Sequence, residues 1–243
     1  MSTINLLYKR EYEINEHIKI MIPTLGDVLD HEDEYYTIVS LLTAMPIDMM
    51  AQLDNIGVDF EEINDYDLFL LVASTISGMD TSLIFGDLDL SKFKLCADPV
   101  NGILVLRDEE SGTVIDRAIQ TQIALVLRTI HGLEKNTRRP ANKESRDYLM
   151  ELAKKKLKRQ KRRSKDSILE QQIIAMVNTE QFSYRFDNVR DMTIYQFNKS
   201  VRQVVRKIDI DNKMRGIYAG TLDAKKIGQS ELNWLTQTKI GGN

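Results

Sequence analysis

The sequence predicts a mainly α-helical protein with two small β-hairpins, built as helical bundle-like subdomains. Apolar residues recur at helical spacing over most of the chain, and alternation with a period of two is confined to two short stretches, each of which contains a turn. The chain has 243 residues, of which 42% are hydrophobic and 28% charged. This composition is typical of a globular protein that is long enough to bury a core.

The two hairpins are predicted from alternating apolar side chains that flank turn residues. The first hairpin lies within residues 12–22, with a turn at Asn15 and Glu16, and Pro23 ends it. The second lies within residues 93–106, where the turn sequence DPVNG separates two short β-like segments.

Helix boundaries in the first half are indicated by capping and terminating residues. Thr24 is predicted to cap a short helix, and Pro46 is predicted to end the next helix and to begin another. Gly57 is expected to terminate that third helix in a left-handed conformation. The segment 68–76 is apolar nearly all round and is expected to form a central helix.

Later helices are predicted from the same periodicity. Residues 114–130 have helical spacing and end at Gly132, and Ser167 is predicted to cap a helix after the basic segment. The longest predicted helix carries one apolar face, which we expect to be buried against another helix. That face consists of Ile194, Phe197, Val201, Val204 and Ile208.

Charge is strongly segregated along the chain although the net charge is only −3. Acidic residues far outnumber basic ones in residues 1–110, and the reverse holds in residues 138–165. We therefore predict three parts. These are an acidic N-terminal domain with hairpins and helices (1–135), a basic helical connector (136–166) and a C-terminal helical domain (167–243).

The basic helix within the connector is the candidate binding site. Its charge could meet a phosphate backbone, an acidic protein surface, or solvent alone as a self-repelling linker. Aromatic residues, which would stack on single-stranded nucleic acid, are missing between positions 154 and 165. The acidic first domain is a possible receptor, in the same chain or in a neighbouring copy. The candidate residues are Lys154, Lys155, Lys158, Arg159, Lys161, Arg162 and Arg163.

The sequence offers no recognisable catalytic or metal site. Three widely separated histidines and the single Cys96 lack the spacing of metal ligands, and Cys96 is expected to be a buried hydrophobe. No phosphate-binding glycine loop or nucleophile elbow occurs, and no apolar segment is long enough for a membrane span. We therefore expect a protein that is not an enzyme and that uses no cofactor and no metal.

Three stretches carry a resemblance to a known family. They are IMIPTLGDVLDHEDEYYTIVSLLTAMPIDM, FGDLDLSKFKL and DMTIYQFNKSVRQVVRKIDIDNKMRGIYAGTLDAKKIGQSELNWL. Together they resemble tail-morphogenesis proteins of tailed bacteriophages, the group that includes tail assembly chaperones and baseplate-hub assembly proteins. The resemblance implies a non-enzymatic structural or assembly protein that acts through protein–protein interactions, and it supplies no functional residues.

The expected partners are other phage tail or baseplate proteins and copies of the chain itself, without membrane association. The expected location is the host cell cytoplasm during assembly, with the virion tail as a further location. The alternative function is a phage-encoded nucleic-acid-binding protein that uses the basic helix at residues 154–165.

Overall fold

The structure is a computed structural model, and it describes residues 5–99, 102–160 and 166–235. The predicted fold class is confirmed, because the described residues are mainly helical with one two-stranded and one three-stranded antiparallel sheet.

The first predicted hairpin forms at the start of the described chain. Strand β1 (Glu11–Glu13) pairs antiparallel with β2 (Lys19–Met21). The Asn15 side-chain oxygen accepts hydrogen bonds from the backbone N–H groups of His17 and Ile18, at 3.0 and 2.8 Å, and so closes the turn. The hairpin turns Ile18 into the core, where it is fully buried.

The second predicted hairpin also forms, and it gains a third strand. Strand β3 (Phe93–Ala97) pairs with β4 (Leu104–Asp108), which pairs in turn with β5 (Val114–Ile115). The prediction that residues 114 and 115 begin a helix is therefore wrong. The helix begins one residue after Asp116, whose carboxylate accepts a hydrogen bond from the Ile119 N–H at 2.8 Å.

The helices of the first half begin and end close to the predicted signals. Thr24 caps the first helix in a capping box with Asp27, and Gly57, with φ of +72°, follows the third. The helices are α1 (Leu25–Asp30), α2 (Glu32–Thr43), α3 (Met50–Asn55), α4 (Asp65–Ile76), α5 (Ser82–Phe85) and α6 (Arg117–His131), with 3-10 turns at Pro46–Met49 and Leu90–Lys92.

Helix α4 departs from the expectation that it is central to the core. Tyr66, Leu68, Phe69 and Ile76 are buried, but Leu71 is 47% exposed. The helix lies between two apolar clusters with its remaining face toward solvent, so apolar composition alone overstated its burial.

The second half contains three longer helices. Ser167 caps its helix by accepting a hydrogen bond from the Glu170 N–H at 2.8 Å, as predicted. The helices are α7 (Lys143–Gln160), α8 (Ile168–Val177) and α9 (Ile194–Tyr218), with 3-10 turns at Val189–Asp191, Ala224–Lys226 and Gln229–Leu232.

One large apolar core contains residues from before and after the basic connector. The starts of α1 and α9 lie side by side, because the Leu25 N–H donates to the Met192 carbonyl at 2.8 Å and the Ile194 N–H donates to the Pro23 carbonyl at 2.9 Å. These N–H groups belong to first helical turns and have no partner within their own helices. The division at residues 135 and 167 remains a prediction about which parts fold alone. Among the members of this core are Ile20, Leu42, Phe85, Leu127, Ile173, Phe182 and Phe197.

A second, smaller apolar cluster lies between α3, α4 and α7. Its buried residues are Met50, Leu53, Phe60 and Leu68. The side chains of one face of α7 pack against it, so the basic helix is part of the folded structure.

Candidate interaction surface on the basic helix

The inner face of α7 anchors the basic helix on the acidic part of the chain. Leu149, Met150 and Ala153 are half-buried against the smaller cluster. These positions lie on one side of a helix. Two other large apolar-bodied side chains of this helix, Tyr148 and Leu152, are 61% and 43% exposed.

Arg146 makes the most elaborate polar contact of the inner face. Its guanidinium lies 2.6 Å from the Asp59 carboxylate and 3.0 Å from that of Glu61, and it stacks 5.5 Å from the centroid of the Phe60 ring. The pKa of Asp59 is lowered, chiefly by a hydrogen bond from the Glu61 backbone N–H and also by Arg146. The contact positions the first turn of α7.

Three further polar contacts tie α7 and the segment just before it to acidic residues of the first half. Lys154 pairs with Asp54 at 2.6 Å near the other end of α7. Before the helix, Lys135 pairs with Asp65 at 2.8 Å, and Asn136 donates to Asp48 at 2.7 Å. The segregated charges therefore meet within one chain along this side. Such half-exposed pairs each contribute little stability, but together with the apolar cluster they fix the position of α7.

The outer face of α7 carries charges of both signs. Glu144, Asp147 and Glu151 are exposed in its first half, after the exposed Lys143 at its start, and a group of exposed cations follows in its second half. Lys155 pairs with Glu151 at 2.5 Å, one helical turn earlier. The outward cations are Lys155, Lys156, Lys158 and Arg159.

The structure divides the predicted basic site into three groups. Lys154 faces inward on Asp54, whereas Lys155, Lys158 and Arg159 face outward. Lys161, Arg162 and Arg163 lie outside the described residues. Sequence reasoning missed Arg146 and its acidic partners, although the pattern Asp59, Phe60, Glu61 was visible as an aromatic residue between two acids.

The predicted packing face of α9 is placed mostly inside the main core. Ile194, Phe197 and Val204 are buried and Val201 is half-buried, but Ile208 is 40% exposed, which corrects the expectation for that residue. The helix continues past the core, and from Gln203 onward it contacts the segment after residue 228. Gln203 donates to the Trp234 carbonyl at 2.6 Å there, and Ile210 is buried in place of Ile208.

A partly buried polar pair lies beside the core at the end of α6. The Tyr35 hydroxyl and His131 Nε2 are 3.0 Å apart, and the Tyr36 ring packs edge-on against the imidazole. Burial lowers the pKa of His131 to about 4. The imidazole is therefore neutral at physiological pH, and sequence analysis gave no sign of its burial.

Within the described ranges, no cluster of three or more His, Cys, Asp or Glu side chains could hold a metal ion. Cys96, expected to be buried, is half-exposed on β3. Among the helices of the described segments, none has the length and apolarity needed to cross a membrane.

Comparison with known proteins gives one family match. The family described as the second domain of YomV matches residues 158–239, about a third of the chain, from the last turn of α7 through α8 and α9. This family is phage-derived, and the match suggests a phage protein. Comparisons with curated proteins and with solved structures gave no match.

Proposed function

We propose that this chain is a non-enzymatic bacteriophage protein that acts in tail or baseplate assembly by binding other proteins. The match to the phage-derived second domain of YomV supports the phage origin. The resemblance of three long stretches to tail-morphogenesis proteins supports the tail role. The proposed location is the host cytoplasm during assembly, and the virion tail if the protein remains bound.

The observation that carries the protein-binding role is the arrangement of charge on α7. The inner cations are neutralised by the same chain, whereas the outer face presents acids and bases together on a helix that is held in place. Glu144, Asp147 and Glu151 would repel a phosphate backbone along the first half of that face. A protein surface can pair with both signs, which gives it an advantage over a polyanion.

A nucleic-acid assay separates this function from its alternative. We expect the full chain to bind duplex DNA and single-stranded RNA weakly near physiological salt, as measured by fluorescence anisotropy of labelled oligonucleotides. Submicromolar binding would support the alternative, provided that log affinity falls against log salt with a slope of about −0.9 per duplex phosphate contacted. In that case, replacement by Gln of Lys155, Lys158, Arg159, Arg162 and Arg163 would abolish the binding.

A matched variant controls for net charge in this assay. It carries five Gln substitutions at exposed cations outside the connector, at Lys9, Arg185, Arg215, Lys225 and Lys226. Equal loss of binding in both variants would indicate nonspecific attraction. Loss confined to the connector variant, with unchanged protein association, would overturn the proposed function.

The tail role is tested by the contents of the particle and of the assembly intermediates. Purified virions and tail intermediates of the encoding phage are compared by quantitative mass spectrometry. We expect the protein in tail intermediates, at a fixed ratio to tail components. Its absence from every tail fraction, with recovery on phage DNA instead, would contradict the proposal.

A further inference from the structure

The outer face of α7 contains a narrow stripe with helical spacing. Tyr148, Leu152, Lys155 and Arg159 follow one another at intervals of four, three and four residues, which places them above one another on one side of a helix. Tyr148 and Leu152 expose apolar surface in the first half of this outer stripe. The same spacing forms the contact seam of paired helices.

Along one flank of the outer stripe, the charges change sign from acidic to basic. Glu144, Asp147, Glu151, Lys155 and Lys158 follow at intervals of three, four, four and three residues, so they form a row beside the stripe. The first three are acids and the last two are bases. A row of this kind is complementary to itself when it is reversed end to end.

We propose that a second copy of this chain docks on the outer face of α7, with the two helices antiparallel. The proposal rests on the protein-binding role above and names one partner for it. A twofold axis at the level of Glu151 brings Glu144 opposite Lys158 of the second copy, and Asp147 opposite Lys155 of the second copy.

The apolar residues of the stripe fit the same arrangement. The two copies of Leu152 meet beside the axis, and each Tyr148 ring lies over the methylene groups of the opposing Lys155. The two copies of Glu151 face each other at the axis, and the ion pair that each makes with Lys155 of its own helix offsets their repulsion. A parallel arrangement would place lysine against lysine and acid against acid, which is unfavourable.

The inner contacts of α7 make the outer face a fixed surface. Arg146 on Asp59 and Lys154 on Asp54 hold both ends of the helix, and Leu149 and Ala153 hold its middle. A helix that is already ordered loses little conformational entropy when a second copy binds. This favours association of the folded chain with itself.

A charge-swap experiment on the full chain tests the inference. One variant combines Glu144→Lys with Asp147→Lys, and the other combines Lys155→Glu with Lys158→Glu. Sedimentation equilibrium is expected to show a wild-type dimer that weakens as salt rises, and roughly a tenfold or greater rise in Kd for each variant alone. An equimolar mixture of the two variants is expected to restore a dimer, because one row is then basic except at Glu151 and the other is acidic at all five positions.

Matched controls distinguish loss of the interface from misfolding and from a general effect of net charge. All four positions are exposed, so circular dichroism should show unchanged folding. Lys225→Glu with Lys226→Glu makes the same charge change on another exposed segment and should leave association unchanged. A wild type that stays monomeric up to ~100 µM would overturn the inference. Its dissociation constant would then exceed ~100 µM, which means an association free energy weaker than about −5.5 kcal/mol. So would a dimer that neither variant weakens, or a mixture that does not reassociate. The proposed function is tested separately by the particle and nucleic-acid measurements.

Discussion

At the scale of single residues, the partly buried His131 makes stability depend on pH. Its pKa is lowered to about 4 in the fold, whereas an unfolded histidine has a pKa near 6.5. Above pH ~6.5 the group is neutral in both states, and below it the unfolded chain takes up the proton first. We expect His131 alone to lower the free energy of unfolding by roughly 3 kcal/mol between pH 6.5 and pH 4, as measured by urea titrations of the wild type and the control variant at each pH.

The control for this prediction is His131→Gln. Glutamine can still accept a hydrogen bond from the buried Tyr35 hydroxyl, but it does not titrate. The variant should lose much of the slope between pH 6.5 and pH 4, while the acidic groups common to both proteins keep theirs. Identical slopes in the two proteins would contradict the assigned role of His131.

At the scale of elements, α9 offers two adjacent valines in opposite environments. Val204 is 7% exposed in the main core, and Val205 is 58% exposed. Val204→Asp should cost several kcal/mol, because it buries an unpaired charge, and should unfold or loosen the C-terminal part. Val205→Asp should change stability by less than about 0.5 kcal/mol. Thermal melting followed by circular dichroism compares the two, and similar curves would show that this face of α9 is not packed.

Elements with local signals were predicted well from the sequence. Thr24, Ser167 and Gly57 determine helix ends through hydrogen bonds and backbone dihedral angles that involve only a few residues. Their roles can therefore be predicted from the adjacent sequence. Strand β5 was missed because its two residues depend on pairing with β4. The exposure of Ile208 was missed because it depends on where the core ends.

The candidate site was predicted in part, for a similar reason. The basic composition of α7 identified the helix, but its inner and outer faces are distinguished by distant partners such as Asp54 and Asp59. Apolar side chains occur on both faces, with Tyr148 outside and Leu149 inside, so periodicity alone left the orientation undetermined.

At the scale of the whole molecule, the shared core predicts the outcome of cleavage in the connector. Trypsin should cut at exposed sites such as Lys156 and Lys158. We expect the two pieces to co-elute in native gel filtration and to separate only in denaturant, because α8 and α9 share one core with α1, α2 and α6. Pieces that separate without denaturant and remain folded would favour independent domains on either side of the connector.

The side-by-side helix starts at Thr24 and Thr193 also constrain the timing of folding during translation. The bonds from Leu25 to Met192 and from Ile194 to Pro23 join the beginning of the chain to residues made much later by the ribosome. At synthesis rates of about 5–20 residues per second, α1 must wait on the order of ten seconds before α9 emerges to pack beside it. During that interval the nascent chain exposes apolar surface that is buried in the folded protein. A chaperone has this time to bind the exposed surface.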